Sequence, residues 1–249
     1  MPSSVNSEFF FDAFKLVLYI TCAYLALNIY SRRVQTRWLL ALTARRHIVL
    51  TLLTLLVVGI KVFEDVISKE SGPIDTAVLW FIRENIPRGL TAFFTLITLT
   101  GASIFLAPAT VVVSGLFFAT RYRRQAFLLA VSMICAWVLT YSIKALVNRT
   151  RPELWEAAWN WGASFPSGHT MNTAAFATAL AISLAQIWPR SRYVAVSFAV
   201  LWTCLVAMSR LVLGAHWPTD VLAAFCLGVF VPLSVSAMLD IRQARRLSR

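Results

Sequence analysis

Three polar clusters interrupt a chain that is otherwise mostly hydrocarbon, and their residue types suit phosphate chemistry. The first is Lys144-Ala-Leu-Val-Asn-Arg-Thr-Arg151-Pro152, the second Pro166-Ser167-Gly168-His169, and the third Ser209-Arg210-Leu-Val-Leu-Gly-Ala-His216-Trp-Pro-Thr-Asp220. Lys144, Arg151 and Arg210 are fixed cations of the kind that neutralise phosphate oxygens. His169 and His216 are two of the chain's three histidines, side chains that serve as acid, base or nucleophile near neutral pH. Asp220 follows His216 by four residues across a helix start, so it can hydrogen-bond one ring nitrogen and leave the other unprotonated and nucleophilic. Ser167 and Gly168, beside a proline at a helix start, leave backbone N–H groups pointing outward along the helix dipole, where an anion binds.

Each cluster alone has a plainer explanation. Lys144 could snorkel and Arg151 sit at an interface, Pro166–His169 could be an ordinary helix cap, and Asp220 could merely complement a helix dipole. If the helix carrying Lys144 runs on without a break, Arg151 falls two turns later on the same face. The three clusters together favour an anion cradle over three coincidences.

The elements that must position these residues cross a membrane. The chain is 59% hydrophobic and 14% charged, with mean hydropathy +0.71, outside the range of soluble globular proteins. Seven apolar runs approach the roughly 20 residues needed to cross a bilayer: about 13–30, 48–67, 91–119, 126–147, 170–188, 194–212 and 220–239. The architecture expected is all-α, a polytopic helical bundle. The third run is long enough to tilt or to break near Pro108. Residues 70–89, with Ser71-Gly72-Pro73 and the apolar segment Ala77–Ile82, read as a loop and a short interfacial helix. Residues 1–12 contain Glu8 and Asp12 but no basic residue, while Arg32 and Arg33 follow the first run. That order reverses a signal peptide's, so the first run is expected to remain as a span with the N-terminus outside.

The net charge of +12 points away from nucleic acid because of where it lies. Arg32, Arg33, Arg37, Arg45 and Arg46, then Arg121, Arg123 and Arg124, then Arg190 and Arg192, then Arg242, Arg245, Arg246 and Arg249 fall in alternate segments between apolar runs. By the positive-inside rule these segments are cytoplasmic. All three polar clusters then face outward, toward the periplasm if the membrane is a bacterial inner one. Cys22, Cys135, Cys204 and Cys226 lie inside apolar runs without ligand-like spacing and read as core residues. Neither a metal nor a cofactor is called for, since the carboxylates are scattered and fixed cations can take the part magnesium plays elsewhere. His47, in an arginine-rich loop, reads as a solvated residue. Trp155, Trp159 and Trp161, between the first two clusters, are interfacial anchors or a lip for a lipid tail.

The ordered pattern Lys-x6-Arg-Pro, Pro-Ser-Gly-His, Ser-Arg-x5-His-x3-Asp resembles the tripartite signature of the type-2 phosphatidic acid phosphatase superfamily, which also includes vanadium-dependent haloperoxidases and soluble acid phosphatases. Every signature position is matched, and the resemblance extends loosely over residues 60–240. It implies that His216 attacks phosphorus to form a phosphohistidine, that Asp220 orients it, and that His169 protonates the leaving group. Lys144, Arg151, Arg210, Ser167 and the Gly168 amide would hold the non-bridging oxygens. The family core has six spans, so the run at 13–30 is an addition. The expected organisation is an N-terminal span and basic loop over 1–47, a lipid phosphatase membrane domain over 48–241 and a basic tail over 242–249. The resemblance implies a lipid phosphate or diphosphate as partner, with undecaprenyl diphosphate foremost. Phosphatidic acid, phosphatidylglycerol phosphate and lipid A phosphate are alternatives, as is phosphoryl transfer to another lipid. No protein partner is called for. A transporter relaying protons through Lys144, His169 and Asp220 is the rival from another class, but it would need inverted repeats and polar groups at the bilayer midplane, and the sequence shows neither.

Overall fold

The structure is a computed structural model that describes residues 3–34, 46–154 and 162–246. It is all-helical among these residues, as expected. The helices are α1 (Ser3–Val34), α2 (Arg46–Ile67), α3 (Gly72–Asn85), α4 (Thr91–Thr100), α5 (Ser103–Ala119), α6 (Arg123–Val147), α7 (Gly168–Ile187), α8 (Arg192–Val212) and α9 (Pro218–Arg246). Six of them are long and apolar enough to cross a membrane, and the pair α4–α5, bent by 44°, makes a seventh crossing if taken as one span. The seven apolar runs therefore stand, with ends displaced by a few residues. Arg37, Arg45, Arg249 and the tryptophans at 155, 159 and 161 lie outside the described residues.

The helix α7 is central, packed against α6, α8 and α9. Its sequence explains why. Thr170, Thr173, Ala174, Ala175, Ala179 and Ser183 are all fully buried, and such small side chains let neighbouring helices approach closely in lipid. Larger groups fill the remaining space: Leu106, Leu128, Leu129, Met133, Met171 and Phe176 form one buried cluster. Trp202 meets the edge of Phe176 at 5.9 Å. By contrast α1 packs against α2 and exposes Phe14, Val17, Tyr19 and Ile29, as a peripheral span facing lipid would.

Two expectations need correction. The break in the third run falls at Gly101-Ala102, not at Pro108, which sits inside α5. Gly101 turns its N–H back to Thr98 O at 3.1 Å, and Ala102 is extended with φ −71° and ψ 148°, so α4 ends and α5 starts afresh. A Cβ at Gly101 would lie 2.6 Å from Val206 Cγ1 and 2.9 Å from Thr173 Oγ1. The bend thus lies where α8 and α7 press close, a cause that local sequence does not display. Next, α6 ends at Val147, with Asn148 left-handed at φ 44°. Arg151 is therefore not on the Lys144 helix, and the chain carries it across the end of the bundle instead.

The interfacial helix at 77–82 proves to be the longer α3. Asp75, Leu79 and Ile82 are its buried residues, one face at i, i+4 and i+7. Ile74, Val78 and Phe81 are exposed.

Candidate active site

Four helix ends converge on one end of the bundle: the last turns of α6 and α8, and the first turns of α7 and α9. Pro218 opens α9 and suits the first helical turn, where its missing N–H costs nothing. Asp220 reaches back to accept the Trp217 N–H at 2.9 Å, one half of a capping box. Gly214, at φ 63°, turns the chain after α8, and the Ala215 N–H bonds to Arg210 O at 3.0 Å. This tight turn folds His216 back over the end of the bundle.

His216 is 2% exposed and Asp220 fully buried. His216 Nδ1 lies 3.3 Å from Asp220 Oδ2, and Nε2 lies 3.2 Å from Arg151 Nη1. A proton on Nδ1 satisfies both contacts, because Arg151 only donates and needs a lone pair opposite it. Burial is the main cause that drops the His216 pKa to about 3. Arg210 and Arg151 push the same way, and the hydrogen bond and charge of Asp220 oppose them. The imidazole is thus neutral at physiological pH. Burial also lowers Arg151 from its ordinary value, with Asp220 opposing.

Arg151 donates to Ala215 O at 2.7 Å and, through Nε, to Gly162 O at 3.0 Å. Lys144 Nζ donates to Ala163 O and, at 3.4 Å, to Ser164 O. Arg210, 8% exposed, donates to Thr98 Oγ1 at 2.7 Å, while its buried Nε has no hydrogen-bond partner among the described residues. A buried donor without a partner costs free energy unless a ligand takes it up, and an anionic oxygen fits this one. Ser167 is fully buried, with its Oγ 3.1 Å from Thr170 Oγ1, and its N–H bonds to Asp220 O at 3.1 Å. Gly168 opens α7. His169 follows, and its Cβ would be 3.4 Å from a Cβ at Gly101, so the α4–α5 break flanks it. The eight residues singled out in the sequence are thus gathered at one end of the bundle.

Sequence reasoning missed a second layer. Arg149 Nη1 donates to Asp220 Oδ1 at 2.7 Å and to Thr219 Oγ1 at 2.8 Å. Arg149 Nη2 donates to Asp75 Oδ2 at 2.7 Å and to Ser71 Oγ at 3.2 Å. Ser164 Oγ donates to Asp220 Oδ2 at 2.6 Å. Asp75 offered one signal: a carboxylate in line with Leu79 and Ile82 on a short apolar helix must face inward and needs a partner.

The fold is a helical membrane bundle with cations and two histidines gathered at one end. The chain belongs to the PAP2 superfamily, whose pattern matches residues 125–243. It is 33% identical over 148 residues to phosphatidylglycerophosphatase B of Bacillus subtilis, covering 57% of this chain and 71% of that protein. It is 30% identical over 130 residues to decaprenylphosphoryl-5-phosphoribose phosphatase of Mycobacterium tuberculosis, covering 51% and 68%. The crystal structure of a transmembrane PAP2-type phosphatidylglycerolphosphate phosphatase from Bacillus subtilis superimposes with TM-score 0.71 and 26% identity, over 76% of this chain and 96% of that one.

Proposed function

We propose that the protein hydrolyses lipid phosphates without a metal, through a phosphohistidine on His216. One observation carries this reading: His216 presents Nε2 to a cation while Nδ1 faces a buried carboxylate. That is the tautomer and orientation a nitrogen nucleophile needs. Lys144, Arg151 and Arg210, with Ser167 and the Gly168 N–H, hold the non-bridging oxygens and stabilise the charge that concentrates there during transfer. The Nε2 lone pair forms the N–P bond as the P–O bond to the lipid breaks, and the departing oxygen takes a proton from His169. Water then attacks the phosphohistidine, gives its proton back to His169 and releases phosphate. An alcohol in place of that water would make the same site a phosphotransferase.

The first substrate to assay is phosphatidylglycerol phosphate, the lipid named for the Bacillus subtilis relative and structure. Undecaprenyl diphosphate stands second, supported by the polyprenyl lipid named for the Mycobacterium tuberculosis relative. Purified protein is expected to release phosphate in excess EDTA and to be inhibited by orthovanadate, which adopts the five-coordinate geometry of transfer. Strict dependence on magnesium would overturn the cation cradle. Phosphatidic acid and lipid A phosphate complete the panel.

The alternating arginines support a site at the outer face of a bacterial cytoplasmic membrane. A membrane-impermeant maleimide should label a Glu70→Cys variant in spheroplasts and leave Tyr122→Cys unlabelled. The opposite pattern would turn the molecule over.

A further inference from the structure

We propose that Asp75 and Arg149 are positioning residues for Asp220, so that the line His216–Asp220–Arg149–Asp75 works as one unit. The inference rests on the reading of His216 as nucleophile. Asp220 spends both oxygens: Oδ1 accepts Arg149 Nη1 at 2.7 Å, and Oδ2 accepts Ser164 Oγ at 2.6 Å and the Trp217 N–H at 2.9 Å. Its carboxylate plane is thereby fixed, and with it the edge that meets His216 Nδ1. Arg149 is fixed in turn. Its second nitrogen is held by Asp75 Oδ2 at 2.7 Å, and its guanidinium lies 5.4 Å from the Trp217 ring centroid. Asp75 also accepts the Thr219 N–H at 2.9 Å through Oδ1 and Thr219 Oγ1 at 2.7 Å through Oδ2. It therefore satisfies a free N–H in the first turn of α9, the helix that carries Asp220.

Charge shows why Asp75 is needed. Arg151 already lies 3.2 Å from His216 Nε2, Lys144 and Arg210 stand at the same end of the bundle, and Arg149 is 16% exposed. Without Asp75, Asp220 would be the one carboxylate left to Arg149 among the described residues, and Arg149 would draw its charge away from His216. With Asp75 fully buried against it, Arg149 is balanced from behind and Asp220 keeps charge for the imidazole. Stability is a poor rationale for such an arrangement, since desolvation offsets much of the attraction in buried ion pairs and apolar replacements often serve as well. This one stands directly behind the nucleophile's carboxylate, where orientation matters most.

The test is a kinetic double-mutant cycle on purified full-length protein, with melting in detergent as the control for folding. Asp75→Asn should lower kcat at least tenfold with KM within about threefold, as expected when orientation rather than binding is lost. In an Asp220→Asn background the same change should cost less than threefold, because the carboxylate it positions is gone. The second variant replaces the pair by apolar groups, Asp75→Leu with Arg149→Met. It should fold and still turn over at least tenfold more slowly than wild type. Equal losses in both backgrounds, wild-type kcat in Asp75→Asn, a fully active apolar pair, or failure of both variants to fold would each reduce the pair to a structural clamp and overturn the proposal. If Asp220→Asn itself turns over like wild type, the reading of His216 and Asp220 fails instead.

Discussion

His216→Ala is expected to cut lipid phosphate hydrolysis by about 10⁵–10⁶-fold, the scale seen when an enzyme loses its covalent nucleophile. Among the described residues, no second side chain is placed to substitute. His169 is the other histidine at this end of the bundle, but it lies in the first turn of α7 and has no hydrogen-bonded carboxylate behind it among the described residues. The fold should survive the change. His216 is neutral when buried, so its removal takes away no buried charge, and Asp220 keeps Arg149, Ser164 and the Trp217 N–H. Melting in detergent should therefore shift by only a few degrees while turnover disappears. Acid-labile phosphate should be trapped on wild-type protein quenched during turnover and be absent from the variant. Residual activity within tenfold of wild type, or covalent phosphate persisting without His216, would move the nucleophile elsewhere.

The parts legible in the sequence were those written over short spacings. Apolar runs near 20 residues announce spans in any context, because lipid leaves the backbone no other way to satisfy itself. His216 and Asp220 lie on one helix start, and Ser167 to His169 on another, so their arrangement is nearly local. The contacts that depend on two helices meeting were not legible. Arg149 stands inside the Lys144–Arg151 spacer, and Asp75 precedes the segment 77–82 that reads as an interfacial helix, yet they meet with Nη2 and Oδ2 2.7 Å apart. The α4–α5 break went unseen for a related reason. Pro108 is the louder local sign, but neighbouring α7 and α8 press on Gly101 instead. Arg151 likewise left its helix because Asn148 takes a left-handed conformation, which asparagine tolerates better than most residues.

His169→Ala is expected to separate two classes of substrate. Hydrolysis of phosphatidylglycerol phosphate or phosphatidic acid expels an alkoxide, a strong base that needs a proton as the P–O bond breaks. Hydrolysis of undecaprenyl diphosphate expels a phosphate monoester, a far weaker base that leaves with less help. A positioned general acid contributes about 10²–10⁴-fold, and the gain grows with the basicity of the departing group. The structure places His169 in the first turn of α7, beside the α4–α5 break. In-line displacement requires the attacking and departing groups on opposite sides of phosphorus, and His169 is proposed for the departing side. The loss in kcat for His169→Ala should therefore reach the upper part of that range on the two alkoxide substrates and stay at least tenfold smaller on the diphosphate. Both rates are measured on one preparation, with single-turnover kinetics to confirm that chemistry limits. Vanadate affinity should fall little, because the acid contributes to bond breaking more than to holding oxygens. Equal losses on both substrates, together with a matching loss of vanadate affinity, would make His169 a phosphate-binding residue and leave the proton donor to be sought elsewhere around Gly101.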